Sequence, residues 1–230
     1  MNLEEAINAL ELAVTKAVAD IVRAALSDDK TPLGKSLALE KRTSFVGTGG
    51  DNPDVVVFGD MNRLKGINDQ FGHVVGDAAI RQVGELLKDV ADKCNAQAFR
   101  RSGDEFVVLL SHGSLHQFKD QVSVFSSCDF QSDEKQYRTA ISFGCALSLG
   151  EIDFSELLAR AETARQIAKS QGDGKCVEWT EEIERQAIDR LRERCDACGS
   201  LIDCAIPRRA MPPNRRLISC PCCGTPLADG

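Results

Sequence analysis

Apolar residues recur along this chain with two periods. Between residues 2 and 26, Leu3, Ile7, Leu10, Val14, Val18, Ile21 and Val22 fall mostly three or four apart, with acidic residues in the first turn. That spacing predicts an amphipathic helix. Two readings of it stay open: a helix packed on its own domain, and a stalk that pairs with a second copy. The pattern breaks at residues 28–32, and residues 47–53 read as a loop. A short apolar run at 55–58 predicts a buried strand. A helical stretch follows, interrupted near 72–76. Residues 75–90 then show Ile80, Val83, Leu86, Leu87 and Val90 as one apolar face. The segments 96–100 and 106–110 flank the polar turn Ser102-Gly103-Asp104-Glu105, a hairpin signature. Further on, the pattern predicts a helix at about 114–126, a strand at 137–147, a helix at 154–169 and a last strand at 176–179. Residues 180–194 form a charged connecting helix. Strands mixed with helices over this length predict one α+β layer fold.

Composition narrows the function classes. The net charge of −7 argues against a broad nucleic-acid surface and leaves room only for a local basic patch. No basic-then-apolar leader and no apolar run of ~20 residues is present, so the expectation is a cytoplasmic protein without a membrane span. Four of the ten cysteines, Cys94, Cys128, Cys145 and Cys176, are scattered singly, and the other six crowd into the end of the chain. There Cys195-x-x-Cys198 and Cys220-x-x-Cys223 make two knuckles, the spacing of a tetrahedral structural Zn²⁺ site. So short a segment buries little apolar surface, and metal would supply its folding energy. Arg208, Arg209, Arg215 and Arg216 between the knuckles offer a surface for a protein or nucleic-acid partner. The loop has no aromatic residue for base stacking, which weighs against nucleic acid.

Three carboxylates stand where strands end. Asp60 closes the first apolar strand, and Asp104 and Glu105 lie at the hairpin tip. Grouped carboxylates suit Mg²⁺, which takes oxygen ligands and completes its shell with water and phosphate. Around them, the segment from Gly59-Asp60-Met61-Asn62 through Lys65, Asn68-Asp69, Gly72-His73 and Gly76-Asp77 is followed by Arg100-Arg101-Ser102-Gly103-Asp104-Glu105-Phe106. Ser142-Phe143-Gly144 and Ala168-Lys169-Ser170-Gln171-Gly172 come later, in the same order. This series resembles the GGDEF family of diguanylate cyclase domains over roughly 54–178.

The resemblance implies a palm or ferredoxin-like nucleotide-cyclase sheet flanked by helices, to which the cysteine spacing adds a small zinc ribbon. The domains expected are an N-terminal helix (1–27), a cyclase domain (28–179), a linker helix (180–194) and the ribbon (195–230). It implies condensation of two GTP into cyclic di-GMP and two pyrophosphates, across a homodimer and with Mg²⁺ or Mn²⁺. Position by position, Asp60, Asp104 and Glu105 match the catalytic carboxylates. Asp60, Asp104, Glu105 and the Met61 carbonyl match the metal ligands, and Glu105 is also associated with deprotonating the ribose 3′-hydroxyl. Asn68 and Asp77 match the pair that reads guanine, Lys65 and Lys169 the phosphate-binding lysines, and Ser102 and Gly103 the turn against the nucleotide. His73 reads as structural.

The chain departs from the family pattern in several places. Ser102 replaces a glycine, and Gln166 replaces a tyrosine. Asp173-Gly174 replaces an Arg-Asn pair, which removes a phosphate-binding arginine that Lys175 or Arg165 would have to replace. Lys93 and Ala96 replace the Arg and Asp of the inhibitory product site. The family's opening element is blurred into the segment that starts at Asp29. The glycine-rich Gly47-Thr48-Gly49-Gly50-Asp51 lacks the Gly-Lys-Ser/Thr ending of a P-loop and reads as a plain loop. Two other functions remain open. One is a degenerate domain that binds GTP or a cyclic dinucleotide and signals. The other is a cyclase making a different cyclic nucleotide.

Overall fold

A computed structural model describes residues 3–43, 53–132, 135–148 and 153–193. The four ribbon cysteines lie outside these residues. In chain order the elements are α1 (Leu3–Leu26), β1 (Gly34–Lys35), α2 (Ser36–Thr43), β2 (Val55–Asn62), α3 (Leu64–Phe71), α4 (His73–Lys93), β3 (Gln97–Ser102) and β4 (Glu105–Leu110). There follow α5 (His112–Gln121), β5 (Cys128–Ser132), β6 (Lys135–Leu147), α6 (Phe154–Gln171), β7 (Cys176–Glu178) and α7 (Glu181–Glu193). Among the described residues the strands make one sheet in the order β1-β3-β4-β2-β6-β5. β7 pairs in parallel with the middle of β6, beyond the stretch that β5 covers. The architecture is mixed α+β, a central sheet with helices on both faces.

β2 shows why. Its run of Val55, Val56, Val57 and Phe58 is fully buried on both sides, as a strand with a neighbour on each edge and a helix on each face must be. Val55, Val57 and Met61 join the cluster formed with α4 through Val83 and Leu87. Val56 and Phe58 join the opposite cluster with Leu157 and Ala161 of α6. Asp60 has the same parity as Val56 and Phe58, so its side chain belongs to the α6 face.

α6 lies close on that face because β6 offers a glycine under it. A Cβ built on Gly144 would meet the Ala161 carbonyl oxygen and the Arg165 amide nitrogen. Ala161, Ala164 and Ala168 keep the helix side of the contact equally thin.

The helix expected at 114–126 divides into α5 and a 3₁₀ turn, Val122–Ser126. Val122 and Phe125 are both buried three residues apart, the period of a three-residue turn. The interruption near residue 72 is real. Gly72 sits at φ 86° between α3 and α4, where a residue with a Cβ is strained. α1 does not pack its apolar stripe on the domain: Leu10 is 65% exposed and Ile21 69%, and Ile7, Val14 and Val18 are exposed as well. No helix among the described residues is long and apolar enough to cross a membrane.

The close seat of α6 gives a direct test. Gly144→Ala should destabilise the domain by about 1–3 kcal/mol, because the added methyl meets helix backbone that has no rotamer to move away. Urea unfolding of both proteins measures the difference, and an unchanged midpoint would show that α6 sits further from the sheet.

Candidate active site

The site grows from the register of β2. Asp60 is the last β2 residue paired with β4, opposite Glu105, and on its other edge it faces Ser142 of β6. The next amide, Met61 N–H, donates to the Asp104 carbonyl at 3.1 Å. That bond ties the hairpin turn to the strand that carries Asp60. The turn itself needs Gly103, at φ 47°. Arg100 holds it from outside, donating from Nε to the Gly103 carbonyl at 2.9 Å.

Arg100 is itself anchored by Asp28, at 3.2 Å, with both side chains about nine-tenths buried. Asp28 Oδ1 also accepts from the Lys30 and Thr31 amides and from the Thr31 hydroxyl. Burial alone would raise the Asp28 carboxyl, but the Thr31 hydroxyl, the Arg100 charge and the Lys30 amide outweigh it and hold it below the usual range. The anchoring carboxylate is therefore Asp28, the residue just before the segment into which the family's opening element is blurred. The signal was the spacing Asp28-x-x-Thr31, an aspartate whose side chain closes its own turn.

The carboxylates differ in environment. Asp60 is 14% exposed, and its Oδ1 is buried and accepts no hydrogen bond. Arg165 NH1 and Lys169 Nζ both stand 3.5 Å from that oxygen. Asp104 is raised above the usual carboxylate range, first by burial and then by the charges of Asp60 and Glu105, with Lys169 partly opposing. Glu105 accepts from the Ser102 hydroxyl at 2.8 Å and faces Arg101 at 3.5 Å. The serine that replaces a glycine thus orients the neighbouring carboxylate.

A buried acceptor without a donor, beside a carboxylate whose ionisation burial and its acidic neighbours disfavour, fits a dication. Among the described residues no group of three or more His, Cys, Asp or Glu side chains is placed to hold a metal ion. Mg²⁺ would draw one or two carboxylates from the chain and complete its shell from phosphate and water.

The remaining residues occupy separate positions. Asn68 on α3 and Asp77 on α4 flank the Gly72 turn. A Cβ on Gly76 would collide with Asn68 Oδ1, so the glycine makes room for the amide. Asp77 is paired with Lys30 at 2.7 Å, a partner the sequence did not disclose. Lys65 is exposed on α3, and Lys169 is half-exposed on the last turn of α6.

Asp173 does not lie free to repel a phosphate. It accepts from Asn62 Nδ2 at 2.7 Å and pairs with Arg63 at 2.9 Å. It thereby secures the end of β2, where Arg63 adopts φ 67°. A cleft of about 460 Å³ between α2, α4 and β3 contains none of the three carboxylates.

Fold and site together define a mixed α+β domain with a central sheet and an acidic edge. The chain belongs to the GGDEF family: the family model described as "Diguanylate cyclase, GGDEF domain" matches residues 36–175. The cyclic di-GMP phosphodiesterase PdeR of Escherichia coli is 30% identical over 146 residues, 61% of this chain and 22% of that protein. The diguanylate cyclase DosC of Escherichia coli is 28% identical over 132 residues, 55% of this chain and 28% of that protein. This chain therefore spans between a fifth and a third of the length of these curated relatives. Among solved structures, the GGDEF domain of TpbB (YfiN) from Pseudomonas aeruginosa superposes with a TM-score of 0.60 at 26% identity, covering 69% of this chain and 97% of that one. The coiled coil and GGDEF domain of DgcB from Caulobacter crescentus, in complex with c-di-GMP, gives 0.62 at 20% identity, over 76% and 96%. At that identity it speaks for the fold alone.

The raised Asp104 carboxyl has a consequence for stability. The folded protein holds that proton more tightly than the unfolded chain, so stability falls as pH rises from the usual aspartate value, about 3.9, through the raised one. Above the raised value the full penalty is present. Asp104→Asn should therefore melt at a higher temperature than the wild type at pH 7, with the gap closing below about pH 4. A variant less stable than wild type at pH 7 would contradict this electrostatic picture.

Proposed function

We propose that this chain is a diguanylate cyclase domain that condenses two GTP into cyclic di-GMP. The observation that carries the reading is the meeting of Asp60 with Asp104 and Glu105 at one sheet edge, beside Lys169, in a GGDEF-family chain. In each half-reaction a ribose 3′-oxygen of one GTP forms a bond to the α-phosphorus of the other. The bond from that phosphorus to the α,β-bridging oxygen breaks, and pyrophosphate leaves. Mg²⁺ or Mn²⁺, when bound, supplies charge neutralisation at the phosphates and favours ionisation of the 3′-hydroxyl.

The chain's own residues do the rest. Asp60, Asp104 and the Met61 carbonyl hold the ion, and Glu105, oriented by Ser102, completes its ligands or takes the hydroxyl proton. Gly103 and Ser102 let the turn backbone approach the nucleotide. Lys65 and Lys169 neutralise phosphate oxygens. Asp77 accepts from the guanine N1–H and N2–H while Asn68 reads its other edge, and Lys30 shares or yields its hold on Asp77 when the base enters.

Each domain holds one GTP, so two must face one another. α1 supports that pairing. Ile7, Val14 and Ile21 fall seven apart at one heptad position, with Leu10 and Ala17 at the other core position, and β-branched residues at one core position with Leu10 at the other suit two parallel strands. The domain limits at 27, 179 and 194, and a cytoplasmic setting, belong to the same reading.

A second reading, a domain that binds GTP or a cyclic dinucleotide without turnover, draws on Asp173 and on a relative named as a phosphodiesterase. A cyclase with another product is separated from both by product identity. Purified protein incubated with Mg²⁺ and labelled GTP or ATP should convert GTP to cyclic di-GMP. GTP should be preferred by about 10-fold or more, since adenine leaves Asp77 and Asn68 unpaired. Asp104→Ala should lose roughly 100-fold or more in rate. Nucleotide binding without any product would favour the binding module instead.

We further propose that Cys195, Cys198, Cys220 and Cys223 hold one structural Zn²⁺, on the strength of their paired spacing, and that the arginines between them serve a protein or nucleic-acid partner. Metal analysis of protein purified without chelator should give one zinc per chain. The Cys195→Ser, Cys220→Ser double variant should retain none, and retained zinc would place the metal elsewhere.

A further inference from the structure

Arg165 is a charged group that the site as described does not explain. It lies on α6 one turn before Lys169, and its side chain is 12% exposed. Its guanidinium rests over the Phe58 ring at 5.8 Å, a distance at which ring and cation attract. Its Nε is buried with no hydrogen-bond partner among the described residues. Among the described residues its ion-pair partner is Asp60, with NH1 at 3.5 Å, too far for a well-formed hydrogen bond, and Asp60 Oδ1 is itself without a donor. Asp173, a further carboxylate near this end of the sheet, is engaged by Arg63 and Asn62. A guanidinium with one buried, unpartnered nitrogen thus stands beside a buried acceptor that has no donor.

A cation fixed this close to a metal-ligand oxygen has two opposed effects. It repels a bare dication that approaches Asp60. It attracts any anion that arrives with the dication, and a guanidinium fork matches two phosphate oxygens. We propose that Arg165 makes metal binding at Asp60 conditional on nucleotide phosphate. In the empty site it partly neutralises Asp60, and when metal and triphosphate enter together it transfers its donors to a phosphate oxygen. Metal and nucleotide then bind with positive coupling, which is reciprocal by thermodynamic necessity. This inference rests on the cyclase-type site proposed above. It assigns to Arg165 a phosphate contact and a gate against free metal.

The test measures Mn²⁺ binding by electron paramagnetic resonance, with and without the α,β-methylene analogue of GTP, whose α,β bridge cannot be cleaved. The full chain is compared with Arg165→Met and Arg165→Lys, and circular dichroism melts establish that each is folded. Arg165→Gln gives the same reading should the Met variant unfold. Arg165→Met should bind bare Mn²⁺ roughly three- to tenfold tighter, because a repelling unit charge has gone. It should bind the metal–nucleotide complex about tenfold more weakly, because a charge-assisted fork has gone. Arg165→Lys should keep bare Mn²⁺ weak while losing part of the nucleotide affinity. Opposite movement of the two affinities is a result that simple loss of packing would not give. Unchanged bare-metal affinity, or two affinities that move together, would overturn the proposal. Binding of the analogue is also read apart from turnover. A protein that binds it and shows the coupling but makes no product would keep the role of Arg165 and remove the cyclase assignment.

Discussion

Everything at the acidic edge depends on β2 being paired antiparallel on both sides at once. With β4 on one edge and β6 on the other, its backbone groups are satisfied and its side chains alternate between two buried clusters. The pairing fixes three things together. Asp60 stands opposite the first residue of β4, so the hairpin turn must fall beside it. It stands opposite Ser142, two residues before Gly144, so the close seat of α6 is nearby. It shares parity with Phe58, so it faces α6 and not α4. A slip of one residue would send Asp60 to the α4 face, away from Lys169 and Arg165. Core packing and site geometry are one constraint here, because the Val55–Phe58 register that buries four side chains also aims the fifth and sixth positions.

That constraint concentrates negative charge, and the surroundings answer it unevenly. Asp28 has Arg100, Asp173 has Arg63, and Asp77 has Lys30, each within 3.2 Å. Asp60 has two cations, but at 3.5 Å and with no hydrogen bond to its buried oxygen. Asp104 is buried near Asp60 and Glu105, and its own backbone amide and Lys169 only partly oppose them, so its carboxyl is raised above the usual range. A stable protein has no reason to leave a buried acceptor unmatched, since the desolvation cost of such a group is about 1–3 kcal/mol. Asp28 and Asp173, which brace the backbone, are paired at short range, whereas Asp60 is left with an unmatched buried oxygen.

Much of this was legible in the chain, and what was not has physical causes. The four-residue apolar run of β2, the hairpin around Gly103, the 3.6-residue stripe of α4 and the carboxylate positions are all local signals, and the structure places each where its pattern indicated. β1 was not legible because two residues carry no period; Gly34 and Lys35 are a strand only by pairing with Phe99 and Arg100. α2 hid for a similar reason, since Leu39 is its one fully buried side chain. β5 did carry an alternation, buried Cys128 and Phe130 about an exposed Asp129, but its run of five is short and begins just after a 3₁₀ turn. The role of Asp28, and the pairing of Arg165 with Asp60 beyond its candidacy as a substitute phosphate-binding arginine, were illegible in a stronger sense. Each depends on partners 72 and 105 residues distant in sequence, Arg100 and Asp60, and no local pattern announces a long-range ion pair.

The Asp28 node also decides how the exposed helix relates to the site. α1 ends at Leu26, and Ser27 bridges back to Gly34 at the start of β1. Asp28 follows at once and clamps Arg100, and Arg100 holds the Gly103 carbonyl. Two side chains, both nearly buried, therefore join the end of α1 to the turn that carries Asp104. The same Asp28 fixes the Lys30 amide, and Lys30 reaches Asp77, so Asp77 hangs from the same residue. A buried pair of this kind is costly to break from one side, about 3–5 kcal/mol, since it strands the remaining charge. The end of α1 and the hairpin turn thus move as one body or lose that pair. The exposed apolar stripe of α1 is the part of the chain that meets a second copy in the proposed dimer, and Asp28, two residues beyond the end of α1, is the residue on which the hairpin turn is hung.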